Sequence, residues 1–139
     1  MYNAQKNTLL ITMKHDNRDK RTNRDKLLEF DSNDDRIIYK NDDMLLQKWN
    51  NIIINYNGGI MDIFLNGELV KSNQGVVPYY KLDNLVVGEN NGYIGGLCNL
   101  VYHRKVLSAS NVSTIYNSQK KNSPPVSNPS STETIVNKS

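Results

Sequence analysis

A single cysteine, Cys98, stands among 139 residues, so no internal disulfide can form. Its neighbours Leu97, Asn99 and Leu100 give it the surroundings of a small core residue rather than of an activated nucleophile. Tryptophan and phenylalanine are scarce, at one and two residues, so most of the aromatic content is the eight tyrosines. Nothing in the chain approaches the ~18 apolar residues of a membrane-crossing helix, and residues 1–6 do not carry the pattern of a secretory leader. The formal net charge is only +3, so no strong field of one sign is expected. Basic residues do gather between Lys14 and Lys26, but Asp16, Asp19 and Asp25 are interleaved with them and no Tyr, Phe or Trp stands among them. A nucleic-acid surface needs unopposed cations and stacking rings, so this stretch reads as a solvated loop and no nucleic-acid partner is expected.

Asparagine takes much of the missing apolar share, with 21 copies in the chain. It tolerates left-handed backbone and caps its own turns, which favours many short elements over a few long ones. Leu9, Ile11 and Met13 alternate with Thr8, Thr12 and Lys14, the signature of a half-buried strand. After the charged loop, residues 27–30 and 36–40 read as two more strands around the turn formers Asp31-Ser32-Asn33-Asp34-Asp35. From Trp49 the pattern sharpens. Ile52, Ile54 and Tyr56 alternate with Asn51, Ile53 and Asn55 until Asn57-Gly58-Gly59 breaks the strand. The next run, residues 60–65, meets Asn66-Gly67 and then Glu68-Leu69-Val70-Lys71. Asn-Gly between two apolar runs is the strongest short hairpin signal, so a meander is predicted. Residues 84–88 and 97–103 read as further strands. Ser108 is placed to cap one or two helical turns that carry Val112, Ile115 and Tyr116 on one face. Beyond Lys120 the composition falls to Ser, Pro, Asn and Thr.

About eight short strands, at most one helix and no β-α alternation predict an all-β protein, an antiparallel sandwich or barrel. From residue 47 to 116 the order of motifs resembles the C-terminal half of a concanavalin A-like, laminin-G-like jelly roll. Gln47-Lys48-Trp49-Asn50-Asn51-Ile52 resembles the tryptophan that opens a central strand. Met61-Asp62-Ile63-Phe64-Leu65-Asn66-Gly67-Glu68-Leu69 is similar to the family's hairpin. Leu85-Val86-Val87-Gly88 with Tyr93-Ile94-Gly95-Gly96-Leu97 resembles its strand-Gly, loop, aromatic-x-Gly segment. Val101-Tyr102-His103-Arg104-Lys105-Val106-Leu107-Ser108 resembles the closing strand that leads into a short helix.

The resemblance implies an antiparallel β-sandwich over residues 1–119 with one short C-terminal helix, and a Ser/Pro/Asn-rich tail over 120–139, disordered or bound to a partner. It also implies a core built on Trp49, Ile52, Ile54, Tyr56 and Phe64, with Asn66, Gly67, Gly88 and Gly96 at its turns and close approaches. The family's opening strands have no counterpart before residue 8. The sandwich is therefore expected to be truncated, to be a divergent short version, or to be completed by a partner. A chain rich in Asn, Ile and Lys with such a tail also resembles proteins of large DNA viruses.

Catalytic signals are weak. Glycan-cleaving members of the superfamily hold paired carboxylates ~5 Å apart in a cleft. The nearest match here, Glu29-Phe30-Asp31-Ser32-Asn33-Asp34, ends in turn formers, so no enzyme is expected. Asp31-Ser32-Asn33-Asp34-Asp35 imitates the start of a calcium loop, but Arg36 and Asp42 stand where that loop needs glycine and glutamate. No cofactor is expected, with a looser calcium site at a sheet rim left open. His15 and His103 lack metal-ligand spacing. Asn90, Asn91 and Tyr93 combine amide donors with a ring face that suits a sugar, and Tyr79 and Tyr80 join them as ligand candidates. The same Asn-Asn-Gly-Tyr string is also ordinary turn chemistry. Asn111-Val112-Ser113 and Asn137-Lys138-Ser139 fit the glycosylation acceptor pattern, which matters only in a secreted protein. The expected function is a non-enzymatic recognition module that binds glycan or protein through rim loops, on a virion or facing the extracellular space. The alternative is a structural component of a viral particle.

Overall fold

The computed structural model describes residues 8–14, 28–33, 35–45, 48–77, 87 and 96–125. Among these, five strands and one helix follow in the order β1 (Leu9–Met13), β2 (Arg36–Asn41), β3 (Ile52–Asn57), β4 (Ile60–Leu65), β5 (Glu68–Asn73) and α1 (Ala109–Gln119). β1 and β2 form one antiparallel sheet, and β3-β4-β5 form a second. Among the described residues the chain is all-β with one short helix.

In β1 the expected alternation holds: Leu9, Ile11 and Met13 are the more buried residues. Its ladder with β2 shifts between Ile11 and Thr12, which face Tyr39 and Ile37 and leave Ile38 as an extra residue. Residues 28–33 form no regular strand, and Phe30 makes an isolated bridge to Arg36. The turn that follows is held by Asp31, whose Oδ1 accepts the backbone N–H groups of Asn33 and Asp35, both at 2.9 Å.

Both turns of the meander are two-residue turns with positive φ at each position. Gly58 and Gly59 have φ of 54° and 91°, and Asn66 and Gly67 have 52° and 85°. This backbone matches the twist of the flanking strands, which is why these residues occupy it. Asn66 also ties its turn to the start of β3. Its N–H donates to the Asn51 carbonyl at 2.8 Å, its Oδ1 accepts the Asn51 N–H at 2.9 Å, and its Nδ2 donates to Asn50 Oδ1 at 3.1 Å.

The two sheets share a core of Ile38, Ile63 and Val76, with Ile11, Met13, Tyr39, Met61 and Val70 packed against it. Val76 is held by its N–H to the Gly59 carbonyl at 2.9 Å and by the Tyr56 hydroxyl donating to its own carbonyl at 3.1 Å. Polar ties join β2 to the end of β5: Arg36 Nη1 donates to the Gly75 carbonyl at 3.1 Å, and Asn73 Nδ2 donates to that of Ile38, also at 3.1 Å. On the other face of the meander, Asn55 Nδ2 donates to the Leu107 carbonyl at 2.8 Å, and the Leu107 N–H donates back to Asn55 Oδ1 at 3.3 Å. Ser108 then caps α1 by accepting the Asn111 N–H. The helix runs three turns rather than one or two, buries Val112 completely and half-buries Ile115 and Tyr116.

Three expectations need correction. Trp49 is 38 % exposed rather than buried in the core. Ile52, Ile54 and Tyr56 are 41, 46 and 43 % exposed, whereas Asn55 and Phe64 are buried. Asn55 can be buried because the Leu107 backbone satisfies its amide, which the local pattern of β3 could not reveal. Residues 97–103 form no strand. The expected strand at 84–88 lies outside the described residues apart from Val87, which is exposed, and so does Gly88.

Gly67→Ala should lower stability by about 1–3 kcal/mol, because φ is 85° and the new Cβ would stand 2.9 Å from the Tyr116 ring. Gly58→Asn should stay within about 0.5 kcal/mol of the parent, since nothing lies within 4 Å of a Cβ there and Asn tolerates positive φ. Equal midpoints in denaturant for the two variants would show that α1 does not rest on the second turn. Ile63→Ala, at a fully buried site, should cost about 2–5 kcal/mol. Trp49→Ala should cost about half as much or less, because the ring retains water contact.

Candidate functional site

Asn90, Asn91, Tyr93, Tyr79 and Tyr80 lie outside the described residues. Glu29 and Asp31 lie in the irregular segment and turn that lead into β2, where the Glu29 carbonyl accepts the Ile37 N–H at 2.8 Å and the Asp31 carboxylate is engaged with backbone amides. An open depression of about 300 Å³ adjoins them, lined by residues that include Glu29, Arg36, Tyr39, Lys40, Lys71 and Asn73. Lys40 is paired with Asp42 at 2.9 Å and the Arg36 guanidinium is turned onto backbone carbonyls, so it offers a mixed polar surface rather than a focused pocket. Among the described residues, no three His, Cys, Asp or Glu side chains come together in a group that could hold a metal ion. Asp62, on β4, accepts the Ser72 hydroxyl at 2.6 Å across the meander.

The most distinctive surface is the segment from Gly96 to Leu107, which is fastened at both ends. A Cβ on Gly96 would stand 2.9 Å from Cη2 of Trp49, so glycine lets the chain lie directly on the indole. At the other end Leu107 is held by the paired amide bonds of Asn55. Between these anchors Asn99 has φ of 52°, and its Nδ2 donates to the Pro125 carbonyl. Leu97, Leu100, Val101 and Val106 are exposed, and Tyr102 is 89 % exposed. His103, Arg104 and Lys105 are exposed beside them.

An apolar run with an aromatic at its centre and a basic rim, held by its ends, can desolvate against a partner without first ordering itself. Tyr and Arg are the side chains that most often dominate such contacts. Sequence reasoning missed this surface because Leu100-Val101-Tyr102 is also what a buried strand looks like. The adjoining His103-Arg104-Lys105 was the one local sign that the run ends in solvent.

Comparison of the chain with family models, with curated proteins and with solved structures finds no match. Among the described residues, no helix is long and apolar enough to cross a membrane.

Asn55→Ala should release one end of the segment. It removes both amide bonds and leaves the Leu107 N–H and C=O unpaired, at a cost of about 1–3 kcal/mol. Tryptic cleavage at Arg104 and Lys105 should accelerate while the amides shared by β4 and β5 stay protected. An unchanged cleavage rate would mean that Leu107 is held by something else.

Proposed function

We propose that this chain is a non-enzymatic recognition module, built on a concanavalin A-like, laminin-G-like sandwich, that binds a protein partner through residues 97–106. The supporting observation is the exposure of Leu100, Val101 and Tyr102 between two fixed ends. In a chain whose mean hydropathy is −0.62, a contiguous apolar run held in water is more simply accounted for by a partner than by the fold. Glycan binding through Asn90, Asn91, Tyr93, Tyr79 and Tyr80 is the companion reading, carried by their chemistry alone.

A structural place in a viral particle is the second reading. What favours it is Pro125, whose carbonyl accepts the Asn99 amide within the same apolar segment and so ties the Pro/Ser-rich end of the described chain to it.

Tyr102→Ala combined with Leu100→Ser should leave the thermal midpoint within a few degrees of the parent, because both side chains already face water. Partner capture should fall at least ~10-fold, in line with the loss of an aromatic hot spot. Retained capture would remove residues 97–106 from the proposal. A glycan-array signal that survives this double variant would instead move the site to the tyrosine and asparagine candidates.

A further inference from the structure

β3 is an edge of its sheet among the described residues, and the parity of its ladder determines which groups face outward. The Asn66 N–H donates to the Asn51 carbonyl, and Asn57 and Ile60 close a two-residue turn. Residues 51, 53, 55 and 57 therefore direct their N–H and C=O groups toward β4. The corresponding groups of Ile52, Ile54 and Tyr56 point away from it, and their side chains, all exposed, lie together on the face that also carries Ile63.

We propose that this edge is a homotypic docking strand, and that a second copy of the chain adds its own β3 antiparallel to it. The occupant is argued from self-complementarity. With Ile54 opposite the partner's Ile54, Ile52 falls opposite the partner's Tyr56 and Tyr56 opposite the partner's Ile52. In that register each of the three residues donates its N–H and offers its C=O across the two-fold axis. The same register brings the exposed isoleucine and tyrosine side chains into cross-strand pairs on one face, joined to the buried Ile63 of each copy. The result is one continuous sheet, β5-β4-β3 and its two-fold mate.

Charge favours the same occupant. From Trp49 to Met61 the sequence has no charged residue and no proline, in a chain that is 22 % charged. Edge strands that must stay single usually carry lysine, proline or a bulge. The other strands meet that expectation. β5 bears Glu68 and Lys71, β2 bears Arg36 and Lys40, and the β1-β2 ladder is broken by the shift at Ile11. A strand without charge meets a copy of itself without repulsion.

The test uses the full 139-residue chain in sedimentation across a concentration series, with amide exchange read residue by residue. The parent should approach twice the mass of one chain. Exchange at Ile52, Ile54 and Tyr56 should slow as concentration rises, while Ile53 and Asn55 stay protected throughout. Ile54→Lys and Ile54→Glu each place two like charges opposite one another at the two-fold axis, so each variant alone should remain a single chain. Mixing them should restore the double mass, which an unfolded variant could not do. Ile54→Thr, uncharged and β-branched, should keep the dimer. A parent that stays a single chain at the highest concentration would overturn the proposal. So would concentration-independent protection of the three outward amides, or a mixture of the charged variants that fails to associate. The double variant at Leu100 and Tyr102 should dimerise like the parent, which keeps this result separate from partner binding.

Discussion

Ile63 sits in the middle of the central strand of the meander, with no exposure to solvent, where it meets Ile38 from the other sheet and Val76 from the chain leaving β5. Among the described residues that three-way contact is where the two sheets and the return of the chain are bound by apolar burial. Only six apolar side chains are buried among the described residues, so few other contacts could take its place. Burying a side chain of this size is worth about 1.5–3 kcal/mol. A core this small cannot by itself select one arrangement of five short strands.

Asparagine supplies much of the remaining selection. Asn66 closes a turn and fastens it to Asn50 and Asn51, Asn73 reaches the Ile38 carbonyl across the sheets, and Asn55 holds Leu107. Each such bond contributes only about 1 kcal/mol net, but leaving the buried partner unmade costs the full desolvation of that group. The penalty therefore falls on wrong arrangements more heavily than the gain falls on the right one. This is how a chain with a high asparagine content can still specify a particular packing.

What was legible in the residues follows the same division. The meander could be read because its turns are local: Gly58-Gly59 and Asn66-Gly67 need positive φ, and few other residue pairs supply it. The cap at Ser108 and the face of Val112, Ile115 and Tyr116 were equally local. The burial of Asn55 and the exposure of Ile52, Ile54 and Tyr56 were not legible. Ile52, Ile53 and Ile54 stand in a row, so periodicity permits either parity, and the choice rests on Leu107, 52 residues away from Asn55. Residues 97–103 failed for a related reason. Their apolar run fits a strand, but strand formation depends on pairing that no local pattern encodes. The ligand candidates at 79, 80, 90, 91 and 93 rest on side-chain chemistry alone.

Asn55 also gives the exposed face of β3 its meaning. A slip of one residue in the β3-β4 register would move Asn55 off the Leu107 backbone and bring an isoleucine in its place. The Leu107 N–H and C=O would then lose their partners, and Asn66 would lose Asn51. The observed register keeps these amide bonds and leaves Ile52, Ile54 and Tyr56 between 41 and 46 % exposed. Polar contacts therefore hold the register at both ends of the strand. A strand held in that way retains an unused apolar strip next to an unused row of backbone donors and acceptors, which is the combination that strand addition requires.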